Sequence, residues 1–141
     1  MSRSLLEKQD LLRLDFSECK APEALYRKIM AYGKKLPPYP SELKKADNLV
    51  EGCQSVMYLS AHFEEGKLFF YAASDALISA GLAAILIDLY SGETPETILL
   101  NPPSFLDKIG IPQSLTPGRA NGLASLYLKM KQCALNCLIT K

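Results

Sequence analysis

The apolar positions of the chain change rhythm several times, and each change marks an element. Near the start, Leu5, Leu6, Leu11 and Leu12 are interleaved with Glu7, Lys8, Gln9 and Asp10 in a roughly helical pattern, which predicts a short amphipathic helix ending near Phe16. Leu25, Ile29, Tyr32 and Leu36 then recur at helical spacing behind Pro22 and Glu23, residues suited to a first turn, until Pro37 and Pro38 stop the run. Arg27, Lys28, Lys34 and Lys35 take the opposite face. A Pro-rich, polar connector follows from Pro37 to Asn48.

From Gln54 the period becomes two. Ser55, Met57, Leu59, Ala61 and Phe63 share one face of a predicted strand, and Gln54, Val56, Tyr58, Ser60 and His62 share the other. Glu64, Glu65 and Gly66 make a turn, and Lys67 to Ala73 read as the returning strand. Ser74 and Asp75 stand where they can cap the apolar run that begins at Ala76, which predicts a helix to about Tyr90. Thr94-Pro95-Glu96 starts a short helix, Pro102 and Pro103 open another through Leu106, and Gly110 closes it. After Thr116-Pro117 comes a long last helix whose apolar stripe is Leu123, Leu126, Tyr127, Met130, Cys133, Ala134 and Cys137. Helices at both ends with a meander between them predict an α+β fold, a small antiparallel sheet of about three strands covered by helices.

A length of 141 residues suits a single domain, 1–141, with a hydrophobic core that needs no disulfide or metal staple. The net charge of +1 lacks the basic excess of a nucleic-acid partner. The run from Ala76 to Ile87 is well short of the ~20 residues that span a bilayer. Acidic residues near the start argue against a signal or transit peptide, so free thiols in a cytoplasmic chain are expected. Only one histidine is present, His62, and any Ser-His-Asp triad, Cys-His pair or His-based metal site would have to use it. Phosphate-loop, dinucleotide and zinc-protease motifs are absent from the sequence.

The four cysteines differ in setting. Cys133 and Cys137 lie on the apolar stripe, where a free cysteine packs as a small hydrophobe, and Cys19 in the loop before the second helix reads as structural too. Cys53 follows Gly52 and precedes Gln54-Ser55 where the connector turns into the first strand, a place that can hold a reactive group on a rigid frame. Its parity with Ser55, Met57 and Leu59 leans it toward the core. Composition and spacing leave both readings open, a buried thiol or a reactive one.

The stretch Asn48-Leu-Val-Glu-Gly-Cys53-Gln-Ser-Val-Met-Tyr-Leu59 resembles the signature of the SufE family of sulfur acceptors around its persulfide-carrying cysteine. Ser74-Asp75-Ala76 with the helix containing Gly81-Leu82, and Leu115-Thr-Pro-Gly-Arg119-Ala-Asn-Gly-Leu123, resemble two further family segments. Order and spacing agree from the second helix to Lys131. Met57-Tyr58 stands where Val-Trp is common, Ala80 where a basic residue is common, and Gly118 where Ser is usual.

The resemblance implies a SufE/NifU-like fold and an activity. A pyridoxal-phosphate cysteine desulfurase would form a persulfide on its own cysteine, Cys53 would attack the terminal sulfur, and the sulfur would pass to an iron–sulfur scaffold or to another thio-cofactor pathway. Gly52 and Gln54 would support the loop. Asp75 and Arg119 would line the groove or meet the desulfurase, their alternatives being a helix cap and a loop brace. The chain would need no cofactor or metal of its own and would show no independent turnover. Homodimerisation is left open. The Cys53 loop is expected to be sheltered in the free protein and to evert on docking. Competing readings are an iron–sulfur scaffold, needing several ligands at one site, a cysteine-dependent hydrolase, needing a base that His62 is poorly placed to supply, and an interaction domain in which Cys53 is simply buried.

Overall fold

The computed structural model describes residues 4–139. Two helices, α1 (Leu5–Phe16) and α2 (Pro22–Gly33), lead through 3-10 turns at Ser41–Leu43 and Ala46–Asn48 to a hairpin of β1 (Met57–Glu64) and β2 (Lys67–Ser74). Then come α3 (Leu77–Tyr90), α4 (Pro95–Leu100), α5 (Phe105–Lys108), a 3-10 turn at Pro112–Ser114, and α6 (Pro117–Ile139). The α+β expectation is met. No helix among the described residues is long and apolar enough to cross a membrane.

Local chemistry accounts for several of these boundaries. The Ser4 hydroxyl accepts from the Glu7 N–H at 3.2 Å while the Glu7 carboxylate accepts from the Ser4 N–H, a capping box that starts α1. Thr94 caps α4 in the same way, accepting from the Thr97 N–H at 3.2 Å. Glu65 and Gly66 both adopt positive φ, 52° and 80°, between paired Glu64 and Lys67, the backbone twist that a two-residue hairpin turn requires.

The core is organised around α3. Ile78, Leu82, Ile85, Leu86, Leu89 and Tyr90 are all buried, together with Gly81, Ala83 and Ala84, so this helix has almost no polar side and must be covered all round. Helix α2 covers one side at backbone contact: a Cβ on Gly81 would lie 2.0 Å from the Ile29 carbonyl oxygen, and one on Gly33 would lie 2.8 Å from the Gly81 nitrogen. Strand β2 and helix α6 pack on other sides, and α1 adds cover of its own. From α1, the Lys8 ammonium donates to the Leu89 and Ser91 carbonyls at 3.3 and 3.1 Å and to Glu93 at 2.6 Å. A cation there also suits the negative end of the α3 dipole.

Four sequence expectations need correction. The sheet has two strands, not three; what would be a third is one bridge on each edge, Leu49 with Tyr58 and Leu68 with Glu93. On the β1 side a longer pairing is blocked, because a 3-10 turn precedes Leu49 and the chain turns at Gly52 (φ 88°) just after Val50 donates to the Met57 carbonyl. For the same reason β1 begins at Met57 and not at Gln54. Helix α2 ends at Gly33, a turn before the prolines. Ser74 and Asp75 do not cap α3: its N-cap is Ala76 without a side-chain bond, the Ser74 hydroxyl donates to the Val56 carbonyl at 2.8 Å and accepts from the Ala76 N–H at 3.2 Å, ahead of the first helical turn, and Asp75 is exposed.

Alanine normally improves a helix over glycine by about 1 kcal/mol. Gly81→Ala is expected to do the opposite, lowering unfolding free energy by about 2–3 kcal/mol in urea titrations, since the new methyl meets the backbone of α2. An unchanged or raised midpoint would contradict the α2–α3 approach.

Candidate functional site

The loop from Glu51 to Val56 leaves the connector and returns as β1, closed at its neck by the Val50 N–H donating to the Met57 carbonyl at 2.9 Å and by the Leu49–Tyr58 bridge. Buried Val50 and Met57 anchor the neck in the core. Gly52 supplies the positive φ that turns the chain, so the next side chain points inward. Cys53 is half-buried, packed against the core, with its thiol 3.9 Å from the Gly122 carbonyl of α6.

Beside the thiol lies a cavity of about 110 Å³. Met57 of β1, Leu82 of α3 and Leu126 of α6 make its apolar walls; Ser55, Ser79, Gln54, Gly118, Gly122 and Arg119 complete it. The Ser55 and Ser79 hydroxyls are hydrogen-bonded at 2.7 Å, tying the loop to α3. Apart from Cys53, Arg119 is the one ionisable side chain among the described lining residues. Burial pushes the Cys53 thiol above its ordinary range, because the thiolate loses hydration there. A larger open hollow of about 820 Å³ runs beside α1, but its Lys8 and Asp15 are already paired with Glu93 and Lys28, and no cysteine, serine or histidine is among its described lining residues.

The structure brings together four of the five residues singled out in the sequence. Gly52 shapes the loop, Cys53 faces the cavity, and the Gln54 amide lies across Gly118 at the start of α6. Arg119 both lines the cavity and stacks over the Tyr26 ring at 5.9 Å, while the Tyr26 hydroxyl donates to the Ser114 carbonyl; it is a brace as well as a wall. Asp75 is left out of the lining, exposed ahead of α3. His62 sits out on the hairpin, 3.7 Å from Glu64. Cys133 and Cys137 pack against the core as expected, and Cys19 is partly buried with its thiol 3.8 Å from the Ala24 carbonyl. Ser79, Gly118 and Gly122 were missed. The two glycines left a signal, a four-residue spacing on the last helix, whereas Ser79 left none because its partner is 24 residues away.

The fold is α+β, with Cys53 held half-buried on a tight loop beside a small cavity walled in part by Met57, Leu82 and Leu126. Residues 10–134 match the sequence family described as SufE, the Fe-S metabolism associated domain, and the chain belongs to that family. It is 33% identical over 129 residues to the cysteine desulfuration protein SufE of Wigglesworthia glossinidia brevipalpis, covering 90% of this chain and 89% of that one. It is 39% identical over 129 residues to SufE-like protein 1, chloroplastic/mitochondrial, of Arabidopsis thaliana, covering 91% of this chain but 34% of that longer protein. Among solved structures, the solution structure of a hypothetical protein from Thermus thermophilus is similar with a TM-score of 0.78 and 27% identity, covering 94% of this chain and 96% of that one.

If burial raises the Cys53 pKa, alkylation of this residue in the native protein should reach half its maximal rate at a higher pH than in the same chain unfolded in urea. Rate–pH profiles with peptide mapping make the comparison; a native midpoint at or below the unfolded one would contradict the site's electrostatics.

Proposed function

We propose that Cys53 accepts persulfide sulfur from a pyridoxal-phosphate cysteine desulfurase and carries it to iron–sulfur assembly. In the transfer the Cys53 thiolate attacks the terminal sulfur of the desulfurase persulfide. The bond between that sulfur and the desulfurase cysteine breaks, the desulfurase thiolate leaves and takes up a proton, and a persulfide remains on Cys53. No net oxidation occurs. Emptying the desulfurase cysteine in this way would also stimulate its turnover.

The observation that carries this reading is the cavity beside the Cys53 thiol, about 110 Å³ against the roughly 30 Å³ that one water occupies. A second sulfur fits there, against the apolar side chains of Met57, Leu82 and Leu126. The same burial makes the resting thiol a poor nucleophile, since even an unshifted cysteine is only about 3% thiolate at pH 7. Exit of the loop would relieve that burial, and docking beside the donor supplies effective molarities on the order of 10⁵ M or more, enough to outweigh the protonation penalty without a general base. The scaffold alternative is less well supported, because among the described residues no second cysteine and no histidine or carboxylate lines the cavity. Free thiols suit a reducing compartment such as the cytoplasm; a downstream iron–sulfur scaffold would be the second partner.

Incubation with a cysteine desulfurase and free cysteine, followed by mass spectrometry, should show the gain of one sulfur atom mapped to Cys53 and absent from Cys53→Ser. Sulfur carried equally well by the variant would refute the assignment.

A further inference from the structure

Three consecutive loop residues lie against three residues of α6, in reverse order. A Cβ on Gly52 would come within 2.5 Å of the Ser125 hydroxyl oxygen, one on Gly122 within 3.2 Å of the Cys53 sulfur, and one on Gly118 within 2.0 Å of the Gln54 amide carbon. Positions 118, 122 and 125 fall on one helix face, about 6 and about 4.5 Å apart along the axis, while an extended chain advances about 3.3 Å per residue, so the loop backbone at Gly52 and the side chains of Cys53 and Gln54 can meet all three. We propose that the Gly118, Gly122 and Ser125 face of α6 is the seat that holds the Cys53 loop in its sheltered position, with Gly122 and Gly118 as positioning residues for the sulfur acceptor. The purpose of the seat rests on the acceptor reading above; its existence as a seat does not.

The fit is one of shape. Among the described residues, the polar contact between this loop's side chains and α6 is the weak one from the thiol to the Gly122 carbonyl at 3.9 Å, and the firmer tie, Ser55 to Ser79 at 2.7 Å, runs to α3. Such a seat holds the loop by close packing and releases it without breaking a charged bond. The three contacts differ in stiffness. Gln54 has a flexible side chain that can swing aside, whereas the Cys53 sulfur has a single rotatable bond behind it and is fixed by the loop backbone, so Gly122 is the more sensitive point. The bare position at Gly118 is what lets the Gln54 amide lie across the helix beside the cavity.

The test uses the isolated full-length protein, iodoacetamide, and peptide mapping that follows all four cysteines separately. Gly122→Ala should alkylate Cys53 about tenfold faster than wild type and Gly118→Ser about threefold faster, as the sheltered population falls, with Cys19 and Cys133 reacting at wild-type rates. A wild-type rate at Cys53 in either folded variant would overturn the proposal, and so would a common acceleration of all the cysteines, which would mean general loosening. The Gly118→Ser clash falls on a flexible side chain, so that variant supplies the answer if Gly122→Ala does not fold. No desulfurase is present, so the outcome is independent of whether Cys53 takes up sulfur.

Discussion

A helix without a polar face has to be covered on every side, and α3 imposes that demand on the whole molecule. Helix α2 meets it so closely that Gly81 cannot carry a side chain, β2 and α6 cover other flanks, and α1 reaches across with Lys8 to hold the carbonyls at the helix end. Near its start, Ser79 and Leu82 face a gap between β1 and α6, and the piece of chain that closes this gap is the Cys53 loop. Cys53 is thus part of the cover of the core, which is why its thiol is half-buried and why a small cavity, walled in part by Met57, Leu82 and Leu126, lies beside it.

That position sets the chemistry. Desolvation favours the neutral thiol, and the neutral form resists oxidation and stray exchange. A residue so placed makes a good store and a poor attacker. Under the proposed sulfur-acceptor role the two needs would be met in sequence, the loop held in for storage and released beside a donor, where proximity would replace an activating base. A loop seated by shape on glycines, and tied by one pair of hydroxyls, suits that alternation better than one locked by ion pairs.

Much of this was legible in the sequence because it rests on local pattern. Leu25, Ile29 and Tyr32 on α2, the stripe of α6, the glycine-bearing hairpin turn and the helix start at Thr94-Pro95 all follow from residues within a few positions of one another, and the structure agrees with them. Failures came where a distant partner outcompeted the local choice. Ser74 looked like a helix cap, but it ends β2, and its hydroxyl donates to the Val56 carbonyl and accepts from Ala76, one residue before the helix starts. Gln54 and Ser55 alternate like strand residues, yet α6 and α3 draw them into the loop and delay β1 to Met57. Of the two roles given to Asp75, lining the groove is not met, and its exposed position leaves the other, meeting a partner, open. The seat on Gly118 and Gly122 pairs residues some 65 positions apart, which no periodicity announces.

The claim at the centre of this account is that Cys53 holds transferred sulfur inside the cavity. Loading the protein through a desulfurase and radiolabelled cysteine, removing the enzyme, and challenging with glutathione measures it directly. The account predicts label on Cys53 that is lost far more slowly from the native protein than from the same chain unfolded in urea. Label found on another residue, or loss at equal rates from native and unfolded chains, would contradict it.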